Sequence, residues 1–253
     1  MFRFNKPNGW NKLPIYMKIR YYALILDHNY SIYVDKLEAK KIVTPLTNGQ
    51  IKVAKVVKIL NDIDDIDEKD IDTNCLLKAT HGSGWNLDFK KTNNIEDIKE
   101  FLNKHNKIYS DTYEKQYKYI TPRFFIEEKI NDMYTGLSGE AVVFMFRCIY
   151  GKPISIGVKF THLEVINLLY DTNWNIIPQK NGIHKKYRIE KPLKLDIMLE
   201  NAKKLSKQFE FVRIDYYIDK NNDIYFSEFT FTPCGGDKTF DLEIEYDMSR
   251  SWI

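Results

Sequence analysis

The sequence has few cysteines, no long apolar run and little net charge. The three cysteines, Cys75, Cys148 and Cys234, are an odd number without metal-ligand spacing, which fits a reducing compartment better than a disulfide framework. No stretch approaches the roughly 18 uninterrupted apolar residues that a membrane span needs. Residues 1–10 lack the charged-then-apolar pattern of a secretory signal. These absences lead us to expect a cytoplasmic protein without a membrane span.

The net charge of +3, from 38 basic and 35 acidic residues, is small and scattered along the 253 residues. Proteins that bind nucleic acid usually concentrate basic charge on one face, so the sequence predicts no nucleic-acid partner. A hydrophobic share of 43% and a charged share of 29% exclude long disorder and fibrous classes. A chain of this length can bury a sizeable core, as one large domain or two small lobes.

The hydrophobic pattern predicts an α+β protein with antiparallel hairpins and few helices. Helices are predicted at 35–43, 95–105 and 193–208, the last with apolar residues at helical spacing. Strands are predicted at 51–60, 75–80, 87–90, 124–130, 141–150, 154–160, 211–218 and 224–231. The aromatic-rich residues 1–34 give no clear pattern, and the acidic run at 61–73 predicts a solvated loop. That run lacks the glycine and the spaced ligands of a calcium loop.

Lys78 lies in a predicted strand directly before a glycine-rich turn, HGSG at 81–84. Glycines let backbone amides approach a phosphate closely, and the ammonium group adds positive charge beside them. The spacing matches neither a P-loop nor the dinucleotide-binding fingerprint. The turn therefore indicates either a phosphate-binding loop of another kind or an ordinary hairpin with a surface lysine.

Asp215 and Glu228 lie in two strands joined by a short turn, so their carboxylates can face each other across a ladder. Alternation places Arg213 and Asp215 on the same face of their strand. Carboxylates among apolar neighbours need a partner. That partner is either Arg213, in a local ion pair, or Mg²⁺ bridging nucleotide phosphates.

The apolar stretch 125–130, FIEEKI, ends in adjacent carboxylates. It is either an ordinary strand end or a hinge whose backbone hydrogen-bonds an adenine edge. The stretch alone does not decide between these two interpretations.

Taken in order, these motifs resemble the ATP-grasp family, and in particular its TupA-like branch, which is named for teichuronopeptide biosynthesis. The matching stretches are DK at 35–36, LLKATHGSGWN at 76–86, YKYITPRFFIEEKI at 117–130, YGKP at 150–153, FVRIDYY at 211–217 and IYFSEFTFTPCGG at 224–236. Together they cover nearly the whole chain. Their joint order and spacing are far more specific than any single motif.

The resemblance implies an ATP-grasp fold, in which two α+β lobes hold ATP between them. Residues 35–125 would form an N-terminal lobe with the glycine-rich phosphate loop. Residues 126–253 would form a C-terminal lobe with the magnesium-binding carboxylates, and 1–34 would be an additional segment without an assignment.

The resemblance also implies a role for each candidate residue, with ATP and Mg²⁺ as cofactors. Lys36 and Lys78 would contact the α- and β-phosphates, and Lys78 would also act in catalysis with Arg213, which would stabilise the transferred phosphoryl group. Asp215 and Glu228 would hold Mg²⁺. The phosphate lid would comprise His81, Gly82, Ser83 and Gly84, and adenine would bind the backbone of Glu127, Glu128 and Lys129.

The sequence departs from the family pattern at two places. Thr230 stands where most ATP-grasp enzymes carry Asn, a change that the TupA-like branch shares. Val143 and Met145 stand where the branch usually has Asp and Lys, and Glu140 is expected to replace the missing acid at the ribose or substrate contact.

The resemblance implies an ATP-dependent ligase that joins a carboxylate to an amine through an acyl-phosphate, in the modification of a surface polysaccharide. Its substrate would be a small molecule or a glycan. The alternative is an ATP-grasp kinase that phosphorylates a sugar or glycan hydroxyl. A non-catalytic nucleotide-binding protein is a third interpretation, which the retention of Lys36, Lys78, Arg213, Asp215 and Glu228 disfavours.

Overall fold

The computed structural model describes residues 4–135, 141–161 and 166–253. The α-helices in this part are α1 (Ile15–Ala23), α2 (His28–Val34), α3 (Lys36–Leu46), α4 (Ile95–His105), α5 (Ile183–Lys186), α6 (Leu195–Ser206) and α7 (Leu242–Ser249). The strands are β1 (Lys52–Val53), β2 (Val56–Leu60), β3 (Cys75–Ala79), β4 (Asn86–Asp88), β5 (Phe124–Glu128), β6 (Val142–Ile149), β7 (Lys152–Phe160), β8 (Ile166–Tyr170), β9 (Phe211–Ile218) and β10 (Ile224–Thr230). None of the helices just named is long and apolar enough to cross a membrane.

The strands form two sheets. The larger has the order β1-β10-β9-β6-β7-β8, and the smaller has the order β2-β5-β3-β4. Strand β1 runs parallel to β10, and the other neighbours are antiparallel. The α+β prediction with antiparallel hairpins is therefore confirmed.

The prediction of one strand over 51–60 is wrong, because this segment supplies two strands to two different sheets. Lys52–Val53 pairs with β10 in the larger sheet, whereas Val56–Leu60 pairs with β5 in the smaller sheet. Ala54 and Lys55 carry the chain across. A β-branched sequence shows that the backbone is extended but not which strand it will pair with, so the crossing is invisible in the sequence.

The main core lies on one face of the larger sheet. Alternate residues of β6, namely Val142, Phe144, Phe146 and Cys148, are buried there. Helix α6 covers them with its buried stripe of Leu195, Met198, Ala202 and Leu205. Because strand side chains alternate between faces, Val143, Met145 and Arg147 point to the opposite face.

The smaller sheet has a separate core against α4. Ile98 and Leu102 of this helix pack with Leu77, Phe124 and Ile126. Fully burying each such side chain contributes roughly 1.5–3 kcal/mol, so this cluster is enough to fix α4 on the sheet. Strand β5 belongs to this sheet throughout, and the predicted boundary between residues 125 and 126 falls inside it.

The aromatic-rich N-terminal part, which the sequence left unassigned, forms α1 and α2. The Trp252 ring lies edge-on to those of Trp10 and Tyr22, with centroid distances of 5.3 and 5.4 Å. Such contacts contribute about 0.5–1.5 kcal/mol beyond burial. Strand β8 and helix α7 were likewise not predicted.

The acidic run is a mostly exposed pair of short 3₁₀ turns, as its charge predicted. Asp62 and Asp67 each cap one turn with a side-chain oxygen. Lys58 anchors the second turn through a 2.7 Å ion pair with Asp70.

Candidate functional site

A cleft between the two sheets consists of two adjoining cavities of about 210 and 300 Å³. The first follows β5 to Ile130, and we call it the hinge cavity. The second contains Asp215 and Glu228, and we call it the carboxylate cavity. Both are lined by Lys36, Lys78, Asn86, Thr161, Tyr217 and Ser227. The two cavities therefore form one continuous channel, in which the lysines occupy the middle.

Lys36 is held at the junction by the start of α3. Asp35 caps this helix by accepting the Leu37 and Glu38 N–H groups at 2.8 and 3.1 Å, which confirms the predicted helix start. The Lys36 ammonium donates to the Gly82 carbonyl at 2.7 Å. Burial lowers the pKa of Lys36, as does nearby Lys78, while Glu228 opposes the change. An anion in the cleft would therefore stabilise this charge.

Lys78 points into the cleft and pairs with the buried Glu127 carboxylate. The other Glu127 oxygen lies 2.6 Å from the Lys40 ammonium. Burial alone would raise the pKa of Glu127, but Lys78 and Lys40 outweigh it and lower that pKa to about 2. Burial would likewise lower the pKa of Lys78, but Glu127 raises it to about 12. Lys78 is therefore a fixed positive charge.

The glycine-rich turn places its residues on two sides. Ser83 and Gly84 line the carboxylate cavity, and Gly82 offers its carbonyl to Lys36. His81 lies behind the turn, with Nε2 3.0 Å from the His105 carbonyl oxygen and its ring edge-on to Trp85. The side chain of His81 is fully buried, and His81 is not among the described lining residues of either cavity, so its nucleotide contact stays a prediction.

Glu127, Glu128 and Lys129, which were predicted to bind adenine, line the hinge cavity. The Glu128 N–H donates to the Lys55 carbonyl at 3.0 Å, and the Lys129 N–H donates to that of Asn74 at 2.8 Å. These two donors are already engaged. Recognition of adenine at this hinge would depend on other groups and stays a prediction.

Asp215 and Glu228 are direct cross-strand partners in the β9–β10 ladder. Arg213 donates from Nε and Nη2 to the two Asp215 oxygens at 2.8 and 2.6 Å, and Nη2 lies 3.4 Å from Glu228 Oε1. The Thr230 hydroxyl donates to Glu228 Oε1 at 3.1 Å and accepts from Arg213 at 3.1 Å. The Arg213 ion pair, one of the two alternatives that the sequence left open, is therefore present, and the Mg²⁺ site stays a prediction.

The arrangement fits a magnesium ion. Burial raises the pKa of Asp215 to about 6, with Glu228 adding to this rise and Arg213 opposing it. Two carboxylates share one guanidinium, so a divalent cation between them would relieve their repulsion. The described residues contain no group of three or more His, Cys, Asp or Glu suited to a metal. Two carboxylates suffice for Mg²⁺, which keeps several waters and binds nucleotide phosphates.

The carboxylate cavity is positively charged. Its described lining includes five cationic residues against two acidic ones, Asp215 and Glu228. The cations are Lys36, Lys78, Arg147, Lys159 and Arg213. An excess of three positive charges in a shielded cleft attracts a polyanion.

Sequence reasoning missed Lys40, Arg147 and Lys159. Lys40 follows Lys36 by one helical turn, so the two share a helix face, a signal that the sequence contains. Arg147 is an arginine in the otherwise apolar strand β6, and it lies on the same face of that strand as Val143 and Met145. Those two apolar residues do line the carboxylate cavity, at the positions where the branch has charged ones. Glu140, the expected substitute, lies outside the described residues.

Helix α1 supports the far wall of the site. Cys234 lines the carboxylate cavity from a turn, Pro233–Gly236, in which it adopts a left-handed conformation with φ of 53°. Arg20 of α1 donates from Nε to the Gly236 carbonyl at 3.0 Å. This contact explains why a helix remote in sequence contributes to the cleft.

The two facing sheets, with lysines and paired carboxylates between them, define a chain with an ATP-grasp fold. Residues 14–249 match the family described as TupA-like ATPgrasp. The chain therefore belongs to the TupA-like ATP-grasp family, as its motifs predicted. No curated protein matches the sequence.

Two solved structures with TM-scores above 0.5 agree on the fold. The biotin carboxylase of Campylobacter jejuni is 15% identical over 89% of this chain and 48% of its own, with a TM-score of 0.51. The biotin carboxylase domain of the Hydrogenobacter thermophilus 2-oxoglutarate carboxylase is 13% identical over 87% of this chain and 45% of its own, also with a TM-score of 0.51. The ATP-grasp ligase PsnB is 11% identical over 90% of this chain and 63% of its own, with a TM-score of 0.45. The chain thus spans less than two thirds of each.

Proposed function

We propose that this protein is an ATP-dependent ligase that joins a carboxylate to an amine through an acyl-phosphate, in the modification of a surface polysaccharide. The observation that carries this proposal is the pair Asp215 and Glu228, set opposite each other in a cleft with excess positive charge. Phosphoryl transfer depends on such clustered cations and on a metal more than on covalent protein chemistry.

In this proposal the hinge cavity receives the adenine. Its wall includes the apolar side chains of Leu76, Phe125, Ile130 and Phe226, which suit a flat ring. Lys36 and Lys78, which line both cavities, would then meet the phosphates, and Ser83 and Gly84 would cover them. Asp215 and Glu228 would hold Mg²⁺. When bound, Mg-ATP would supply the phosphoryl group for transfer.

Arg213 would stabilise the charge that develops on the transferred group. Burial lowers its pKa, but Asp215 and Glu228 more than offset this and raise the pKa above the ordinary value. The guanidinium therefore stays protonated. Its bonds to Asp215 and Thr230 fix its orientation before any ligand arrives, which favours electrostatic stabilisation of a transition state.

The proposed reaction has two steps. A carboxylate oxygen attacks the terminal phosphorus of ATP, the bond from that phosphorus to the bridging oxygen breaks, and ADP leaves. An amine then attacks the acyl carbon, phosphate leaves, and the nitrogen loses a proton as the amide forms. The H. thermophilus domain was solved in complex with MgADP, ADP and bicarbonate, and our proposal extends the binding of a nucleotide and a carboxylate-like anion to this chain.

The test is ADP and phosphate release from Mg-ATP with D-glucuronate as the carboxylate and L-alanine or hydroxylamine as the amine. A ligase needs both, and the product with hydroxylamine is a hydroxamate. A phosphorylated sugar that persists without any amine would instead favour the kinase, which would use the same ATP site. Failure of Mg-ATP to bind would contradict both activities.

A further inference from the structure

Arg147 is a buried cation for which the described structure shows no ion pair and no side-chain hydrogen bond. The residue is only 6% exposed, and its Nη1 has no hydrogen-bond partner. It takes part in none of the ion pairs formed among the described residues. Its closest aromatic contact is Phe240, whose ring centroid lies 4.7 Å from the guanidinium carbon. A cation–π contact of this kind offsets only part of the desolvation of a guanidinium.

This arrangement is unfavourable for folding. An uncompensated buried charge is among the most destabilising groups in a protein interior. Burial and the neighbouring Arg213 lower the pKa of Arg147 to about 10, although Asp215 and Glu245 act in the opposite direction. Nevertheless the fold makes room for the side chain at Gly157, where a Cβ would lie 3.0 Å from Arg147 Nη1.

Arg147 lies directly opposite Arg213 in the β6–β9 ladder. It lines the carboxylate cavity together with Asp215 and Glu228, and none of these three residues lines the hinge cavity. Arg213 already donates to Asp215, Glu228 and Thr230. Arg147 is therefore the guanidinium with a donor still to offer to an incoming anion.

Another polar group of the carboxylate cavity is unpartnered as well. Asn167 lines this cavity, and its buried Oδ1 has no hydrogen-bond partner. Thr239 also lines it, and its hydroxyl donates to the Asp237 carbonyl at 3.3 Å. A free acceptor amide and a free guanidinium in one cavity fit a substrate that carries both a carboxylate and a hydroxyl or an amine.

We propose that Arg147 binds the carboxylate of the substrate that receives the phosphoryl group and holds it beside Asp215 and Glu228. The planar guanidinium of arginine can bind both oxygens of a carboxylate. One carboxylate oxygen must remain able to attack the terminal phosphorus of ATP. The contact with Arg147 would therefore position the carboxylate for this attack. This assignment rests on the proposed function, because it presupposes a carboxylate acceptor.

The test uses calorimetry on the full chain saturated with Mg²⁺ and β,γ-methylene-ATP. The probes are D-glucuronate, L-glutamate and acetate, with neutral D-glucuronamide for comparison. We expect at least one carboxylate to bind the wild type more tightly than the amide does. Arg147→Met should lower that affinity at least about tenfold, the effect of losing a hydrogen bond between charged groups. Arg147→Lys should retain part of it.

Lys152→Met is the matched control, since Lys152 is exposed on the adjacent strand β7. Affinity for the Mg-nucleotide should stay within about twofold in Arg147→Met. A comparable loss of nucleotide affinity would instead make Arg147 a phosphate contact and overturn the proposal. So would binding of no carboxylate by the wild type, or equal binding by Arg147→Met. Absence of nucleotide binding by the wild type would refute the proposed function instead.

Thermal unfolding separates this role from a structural one. Removal of an unpaired buried cation should leave the melting temperature of Arg147→Met unchanged or raise it. A lowered melting temperature together with unchanged carboxylate affinity would mean that the side chain serves the fold, and it would overturn the proposal.

Discussion

At the scale of single residues, Glu127 is the buried carboxylate that pairs with two lysines of the cleft. Its two oxygens are divided between Lys40 and Lys78, which come from α3 and β3. Glu127 raises the pKa of Lys78 to about 12, whereas at Lys40 burial outweighs Glu127 and the pKa is lowered. The carboxylate that was expected to matter through its backbone therefore acts through its side chain.

Replacing Glu127 with Gln should flatten the acid dependence of stability. The pKa of Glu127 is lowered from 4.5 to about 2, so its contribution is complete above about pH 4.5 and is lost as the pH falls toward 2. The shift corresponds to about 3 kcal/mol. We expect Glu127→Gln to lose roughly this free energy of unfolding near pH 7, as measured by urea denaturation, and to converge with the wild type in acid.

The matched control is Glu128→Gln. Glu128 pairs with Lys55 at the surface, where solvent screens the two charges, so this pair contributes little to stability. If the free energy of unfolding of Glu127→Gln followed the same pH dependence as that of the wild type between neutral and acid pH, the pKa of Glu127 would not be lowered by its lysine partners. That result would contradict the prediction.

At the scale of secondary-structure elements, the glycine-rich turn is tied to α3. The Lys36 N–H donates to the Thr80 carbonyl at 3.2 Å, and the Lys36 ammonium donates to that of Gly82. The turn therefore cannot move without releasing the first residue of α3. Its two glycines are not equivalent, because only Gly82 is crowded.

Gly82→Ala should weaken both the fold and nucleotide binding. Gly82 has φ of 92°, and a Cβ there would lie 2.6 Å from Tyr109 Cδ2. Gly84→Ala is the control, since Gly84 has φ of 71° but open space around it. Left-handed strain alone costs about 1–2 kcal/mol, which is the loss we expect for Gly84→Ala. Urea denaturation and calorimetry with Mg-ATP should show a larger loss for Gly82→Ala, and equal losses would contradict the crowding argument.

The helices and strands that the sequence predicted are those whose apolar residues recur at a regular helical or strand spacing without interruption. Helix α6 repeats its apolar residues at helical spacing, and β9 and β10 alternate around charged positions. Helix α1 was missed although its buried residues Ile15, Ile19 and Tyr22 follow the same period, because Lys18 occupies a place in the buried stripe. The split between β1 and β2 was missed because it depends on partners far along the chain.

The site was predictable to the extent that its residues belong to recognisable motifs. Lys36, Lys78, Asp215 and Glu228 were assigned from the sequence, and the structure brings them to one channel. Arg147 was not assigned, because an arginine in an apolar strand has no local signal for its surroundings. Only the sheet register shows that it faces Arg213.

At the scale of the whole molecule, α1 joins the far end of the chain to the larger sheet. The buried Lys18 ammonium donates to the Ser249 and Trp252 carbonyls at 2.9 and 2.6 Å. The same helix holds the Gly236 turn through Arg20. Packing of α1 and α7 therefore supports the wall of the carboxylate cavity.

Stability should rise with pH through the titration of Lys18. Burial, with a smaller effect of Lys6, lowers its pKa from 10.5 to about 8. Between these values the unfolded chain binds more protons than the folded one, so unfolding becomes less favourable as pH rises. Relative to Lys18→Met, the wild type should gain stability across this window in urea denaturation.

The control is Lys12→Met, which changes an exposed lysine in the short 3₁₀ turn Trp10–Lys12 before α1. Its free energy of unfolding should depend on pH in parallel with that of the wild type. If the pH profile of Lys18→Met were also parallel to that of the wild type, Lys18 would be charged in both the folded and the unfolded chain over this range. Burial would then not lower its pKa, and the prediction would be wrong.

The central claim is that the cleft binds a magnesium nucleotide through the paired carboxylates. Calorimetry of ATP binding with Mg²⁺ and with EDTA, for wild type and Glu228→Gln, tests it most directly. Glu228 is suited to this because its side chain is 36% exposed, so the fold depends on it less than on Asp215. Glu243→Gln, at an exposed position in α7, is the control. Mg²⁺ should strengthen ATP binding in the wild type and the control but have little effect in Glu228→Gln. Equal magnesium dependence in all three, or no ATP binding by the wild type, would contradict it.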